Sequence, residues 1–310
     1  MRKKIIILSL GICLLAAACS GTGNKKDSTG QNTEDSSGGT EEEKKNSEQD
    51  AEPEQNEDSG KDDKTQSEKK EPPVAEPGKE LSKVPEVTFI DYSQNIQDDD
   101  SGALLLAVTE NCPVISIPEN ETAAEKMNLV FEQQHTANQT YIQEDTEAAR
   151  AAYKQLSKDE VSNWSGYGFG IGYKVMYVST RILSIEAENY KWQGNAQPNI
   201  WTTSYCFDAT TGTLLYLSDI FKDKAGAEEI VEQHIVDTIT KDPYKDALME
   251  DYESYLSDVL TENVFYLNDK GLVVICNPDM VTSSAAGTIE VEVPYKELEA
   301  VMNPDYMFKE

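Results

Sequence analysis

The chain has 310 residues, with 57 Asp and Glu against 27 Lys and Arg and a formal net charge of −30. So acidic a chain does not suit nucleic acid or an anionic lipid surface, both of which reward clustered Lys and Arg. Solubility is the common reason for such a charge, and a cationic partner is the more specific one.

The first residues, Met1-Arg2-Lys3-Lys4, an apolar run from Ile5 to Leu15, and Ala16-Ala17-Ala18-Cys19, have the order of a basic region, an apolar region and a small-residue cleavage site. The apolar run is shorter than the roughly 20 residues that span a bilayer, so it reads as a removable signal over residues 1–18. Leu15 and the three alanines before Cys19 resemble the lipobox of bacterial lipoproteins. That resemblance implies a diacylglycerol on Cys19, which becomes the mature N-terminus and attaches the protein to the cell membrane on its extracellular face. From 19 to 85 the chain is Ser, Gly, Asn, Gln, Lys and Glu, with no aromatic residue between Cys19 and Phe89. Such a segment cannot offset its ordering entropy by burial, and it reads as a disordered acidic tether with a coil span of about 45 Å.

Beyond it the composition turns aromatic and β-branched. Strands are predicted near Val87–Tyr92, Ala103–Thr109 and Cys112–Ile117, and then a helix opening at Asn120-Glu121-Thr122 with a second helical stretch from Asp145 to Leu156. Period-two alternation marks Tyr167–Thr180, strand-like composition marks Ile182–Trp192, and Asn199–Asp208 with Thr213–Leu217 flank a turn at Ala209-Thr210-Thr211-Gly212. Two helices are predicted at about Ala225–Thr240 and Tyr244–Leu260. A hairpin of Val264–Leu267 and Leu272–Cys276, a strand Thr288–Val293 and a short helix from Tyr295 to Met302 follow. Strands and helices come in runs, which predicts an α+β fold of antiparallel sheets packed with helices. It is divided into two consecutive modules after the tether, over 86–207 and 208–310.

Little in the sequence points to catalysis. The two histidines, His135 and His234, lie in predicted helices about a hundred residues apart in the sequence, and read as helix-surface or core-edge residues rather than parts of a triad or a metal site. Cys112, Cys206 and Cys276 have no zinc spacing and read as buried thiols, with one disulfide left open. Gly166, Gly168, Gly170 and Gly172 alternate along a strand and not at a strand-to-helix turn, so they suit the close approach of a backbone or a large side chain better than a phosphate. No catalytic residue, metal ligand or cofactor is assigned. The candidate binding residues are Tyr190, Trp192, Gln193, Asn195, Gln197, Asn199 and Trp201, which place aromatic faces and amides in one Gly/Pro-containing loop. Packing of the two tryptophans into the core is the competing reading. A second candidate, Thr282, Ser283 and Ser284, lies in a small-residue loop that reads more readily as an ordinary connection.

The C-terminal stretch carries Ser218-Asp219-Ile220-Phe221, Asn263-Val264-Phe265-Tyr266-Leu267, Gly271-Leu272-Val273-Val274, Gly287 and Val293-Pro294-Tyr295-Lys296-Glu297-Leu298. It resembles the extracellular domain of RsiV-type anti-sigma factors. The stretch before it, with Cys112-Pro113-Val114-Ile115-Ser116, Asn128, Ser184, Tyr190 and Phe207–Leu214, is similar to that domain's N-terminal companion, a module also seen in the PdaC peptidoglycan deacetylase. The resemblance implies an ectodomain at a Gram-positive-type surface that recognises lysozyme or accompanies chemistry on the wall. The family's glycine-glycine-alanine-histidine loop stands here as Gly194-Asn195-Ala196-Gln197-Pro198, so any role of that histidine is absent. The expected function is a non-enzymatic surface lipoprotein that binds a wall glycan, peptidoglycan, or a wall-acting protein such as lysozyme. The alternatives are a wall-modifying hydrolase or deacetylase, and an accessory subunit of an exported complex.

Overall fold

The computed structural model describes residues 80–194 and 197–308, so the signal, Cys19, most of the tether and Asn195 lie outside the described residues. Strands β1 (Glu86–Asp91) and β2 (Gln94–Gln97) both pair antiparallel with a long strand β3 (Leu104–Ser116). The two strands predicted within 103–117 are therefore one. Pro113 does not break it, because pairing with the next strand ends at Asn111 and β3 has only β1 as neighbour at the proline.

Helix α1 (Glu121–Tyr153) is a single 33-residue helix where two were predicted. Asn120 caps it by accepting from the Ala123 N–H at 3.2 Å, and no Gly or Pro interrupts it. Its middle looked like a gap because the inward positions there include the polar Asn138 as well as Ile142. A capped turn α2 (Lys158–Val161) leads to β4 (Tyr167–Val178), then β5 (Ile182–Trp192), β6 (Asn199–Asp208) and β7 (Thr213–Leu214). The sheet order is β1-β3-β4-β5-β6-β7. The run β4 to β7 is antiparallel as expected, but β3 and β4 are parallel, since α1 provides the crossover that such a pair requires.

The second part begins with α3 (Leu217–Ile220) and α4 (Lys224–Ile239), the latter capped by Asp223. The helix predicted over Tyr244–Leu260 is instead two 3-10 segments, Lys245–Ala247 and Tyr252–Asp258. Between them Leu248 is extended and forms an isolated β-bridge with Thr282, and Met249 N–H bonds to the Val281 carbonyl, which interrupts helical bonding. Strands β8 (Phe265–Leu267), β9 (Gly271–Cys276) and β10 (Ile289–Pro294) form a small antiparallel sheet ordered β10-β9-β8, and α5 (Tyr295–Leu298) follows.

The large sheet serves two cores. On one face Leu106, Leu183, Ile185 and Phe207 pack on Met127 and Phe131 of α1. On the other, Ile182 and Cys206 join Val231 and Ile235 of α4 and Phe265, Val274 and Val291 of the small sheet. Polar clips fasten this second face: the Ser184 hydroxyl donates to the Leu267 carbonyl at 2.7 Å, Ser204 donates to the Phe265 carbonyl, and the Asn277 amide brackets the Thr202 backbone at 2.6 and 2.8 Å. The three body cysteines are buried and free.

Candidate functional site

Of the aromatic and amide candidates, four stand on the facing ends of β5 and β6, and Gln193 and Gln197 lie in the segment between the two strands. Tyr190 and Trp192 belong to β5 and Asn199 and Trp201 to β6. The register pairs Tyr190 with Ile200 and Asn189 with Trp201, and paired residues share a face. Trp201 therefore faces opposite to Tyr190 and Trp192. Tyr190 packs over the strand glycines: a Cβ at Gly168 would lie 2.7 Å from the Tyr190 ring. Gly168 and Gly170 thus admit a large side chain, as their placement along a strand suggested, whereas Gly172 meets nothing within 4 Å and Gly166, before β4, lies against Leu104.

The hairpin end is latched to α1. The Asp145 carboxylate, 3% exposed, takes an ion pair from Lys191 at 2.8 Å and a hydrogen bond from the Gln193 amide at 2.6 Å. Gln193 is thereby committed to the fold, whereas Gln197, Asn199 and Ile200 are exposed at the hairpin's outer end. Thr282 is buried at 1% exposure and bridges to Leu248, while the Ser283 N–H donates to the Ala247 carbonyl. Ser284 opens a 3-10 turn and donates its N–H to Asp279. Of that trio only Ser284 is exposed.

Two polar constellations escaped the sequence reading. The first centres on Glu110 of β3, whose side chain has no exposed surface. Its carboxylate lies 2.8 Å from His135 Nδ1 and accepts from the Asn138 amide at 2.8 Å; Asn138 accepts in turn from Gln134. Tyr92, at the junction of β1 and β2, stacks on His135 with ring centroids 4.1 Å apart. The missed signal was phase: Glu110 alternates with Leu106, Val108 and Cys112, all inward. The second is a carboxyl pair between the sheets, Glu186 of β5 hydrogen-bonded to Glu290 of β10, which also accepts from Tyr266 at 3.2 Å. Burial, then the Glu290 bond and charge, push Glu186 up to about 7. His234 pairs with Glu297 at 2.9 Å near the surface.

Residues 103–200 match the family model described as deacetylase PdaC, and residues 218–296 match that of a protein of unknown function, DUF3298. A crystal structure of a DUF3298 family member from Bacteroides fragilis is similar in fold, with 17% identity, a TM-score of 0.57, and coverage of 71% of this chain and 94% of that one. A DUF3298 family protein from Pseudomonas aeruginosa aligns with 12% identity and a TM-score of 0.49, over 73% of this chain and 97% of that one. No curated protein matches the sequence. The described residues thus carry, in order, a PdaC-like module and a DUF3298 module, the two-module arrangement that the sequence motifs resemble.

Proposed function

We propose that this chain is a non-enzymatic lipoprotein of the cell envelope, held by lipid on Cys19, whose folded part captures a wall glycan or a wall-acting protein such as lysozyme. The observation that supports this reading is the outer end of the β5–β6 hairpin. Exposed Gln197, Asn199 and Ile200 stand there, with half-buried Trp192 and Trp201 on opposite faces of a ribbon tied to α1 by the Asp145 latch. Amides donate and accept together, and aromatic rings offer apolar area at low entropic cost, which suits an interface. A rigid ribbon positions such groups better than a free loop does.

The net charge of −30 favours a cationic protein as the partner. Long-range attraction of that kind weakens as salt shortens the screening length to about 8 Å at physiological strength. The test is capture of lysozyme and of peptidoglycan fragments by the full chain at low and high salt. Lysozyme binding is expected to weaken with salt and with Asn199→Ala, and glycan binding to be indifferent to salt. Failure to bind either removes the proposal.

A further inference from the structure

A trough runs along the first module on the side away from the hairpin latch. Gln94 and Ile96 of β2 face Gln139, Gln143, Thr146 and Arg150 of α1, and Tyr92, just before β2, stacks on His135 one helical turn before Gln139, past the end of that lining. From His135 to Arg150 the helix rises about 22 Å. The part beside β2 is shallow and open, with about 410 Å³ over a floor of Ile96 and buried Ile142. Past one end the Tyr92 ring is stacked on His135, which Glu110 holds through Nδ1, and Tyr92 as a residue is 39% exposed. At the other end Arg150 stands 3.7 Å from Asp98.

We infer that this trough binds a neutral oligosaccharide chain, with Tyr92 as the stacking platform and Gln94, Gln139 and Gln143 as the groups that read its hydroxyls. Each amide presents both a donor and an acceptor, which matches a hydroxyl that is itself both; Gln143 gives one N–H to Glu147 at 3.2 Å and keeps the other and its carbonyl. A flat apolar ring at one end, convergent polar groups along a concave wall and an apolar floor are the parts that such a site requires. The amides sit on a helix and a strand, and Tyr92, in the two-residue link before β2, is held by its stack on His135, so the spacing is set before any ligand arrives. The ring is braced from beneath by a histidine whose own orientation is fixed by a buried carboxylate. An anionic polymer is disfavoured by the chain's charge and by Glu147 in the wall. An extended peptide added to the β2 edge is disfavoured because β2 has four residues and its register shifts between Ile96 and Gln97, which breaks the template a guest strand needs.

The inference is independent of the hairpin, and the experiment separates the two. The full chain is titrated calorimetrically with N-acetylglucosamine oligomers. The variants are Tyr92→Ala, Tyr92→Phe, a double Gln139→Ala and Gln143→Ala, and Asn199→Ala on the hairpin. The wild type is expected to bind, with Tyr92→Ala and the double variant each weakening binding about tenfold, the scale of a lost aromatic contact or of two neutral hydrogen bonds. Tyr92→Phe is expected to stay near wild type. The double variant replaces exposed helical glutamines by the best helix former, so it keeps the test valid if Tyr92→Ala misfolds. No binding of the oligomers, binding unchanged in the double variant, loss confined to Asn199→Ala, or displacement by an extended peptide in place of a glycan would each overturn the inference. Lysozyme capture through the hairpin stands or falls separately.

Discussion

Glu110 and His135 meet across the joint between β3 and α1, the Glu110 carboxylate wholly buried and 2.8 Å from His135 Nδ1. A buried carboxylate is tolerable only with such partners, and here the second is the Asn138 amide. The pair anchors the helix to the sheet, and its partner on the outside is Tyr92.

Removing His135 leaves the carboxylate with Asn138 alone. His135→Ala is expected to cost about 3 kcal/mol, as for a broken buried pair. Glu110→Gln, which keeps an acceptor and a similar shape, is expected to cost less. Urea unfolding followed by circular dichroism ranks the two; equal, small losses would show that the joint does not depend on this carboxylate.

The turn between β6 and β7 docks on the start of α1. Asn120 donates to the Thr210 carbonyl at 2.7 Å and Lys126 to that of Thr211 at 3.1 Å, while Gly212, with φ of +72°, leaves room only for the Ala123 carbonyl. A methyl at 212 would fall on that backbone. Gly212→Ala is expected to destabilise by about 2–4 kcal/mol, from strain in the left-handed region and from the clash. Gly102→Ala serves as the control, since it shares a positive φ but has open space around it. Comparable thermal shifts for the two variants would mean that docking contributes nothing.

These two joints show what the sequence could and could not reveal. Period-two alternation placed β4, strand-like composition placed β5 and β6, and the Gly-containing Ala209–Gly212 segment placed the turn after them. The candidate aromatics, expected in one loop, stand on the ends of two strands. The sequence did not show that Trp201 and Trp192 face opposite ways, since that depends on register across a turn whose conformation leaves no clear sequence mark. Asn128 was visible as a motif residue; that its amide brackets the Ile115 backbone at 2.7 and 2.9 Å, as a clip and not a ligand, required the packed helix. The merging of α1 was obscured by Asn138, a polar residue in an inward position. Glu110 and Glu186 were lost among 57 acidic residues, because burial, which distinguishes them, belongs to the tertiary structure.

The thiols of the folded part are expected to be silent. Burial pushes Cys112 and Cys206 up to about 11 and Cys276 to about 12, so little thiolate exists near neutrality, and access is closed as well. An aromatic disulfide reagent is expected to leave all three unmodified in the native chain and to label all three in denaturant, as read by peptide mass mapping. Rapid native labelling of any one would place it at the surface.

The Glu186–Glu290 pair makes stability depend on pH in a defined direction. Burial, the Glu290 bond and the Glu290 charge raise Glu186 from 4.5 to about 7, with Lys174 opposing and Glu188 adding to the rise. Tyr266 donates to the same Glu290 carboxyl. Between those two values the folded chain holds a proton that the unfolded chain has released, so stability falls as pH rises through the window and is regained on acidification towards 4.5. Glu186→Gln supplies a neutral donor permanently and is expected to flatten this slope while raising the melting temperature at neutral pH. Glu188→Gln, one pleat along on the same face and exposed, is expected to retain most of the slope. A wild-type stability that rises across the window would sink the shared-proton account, as would a Glu186→Gln variant with an unchanged slope.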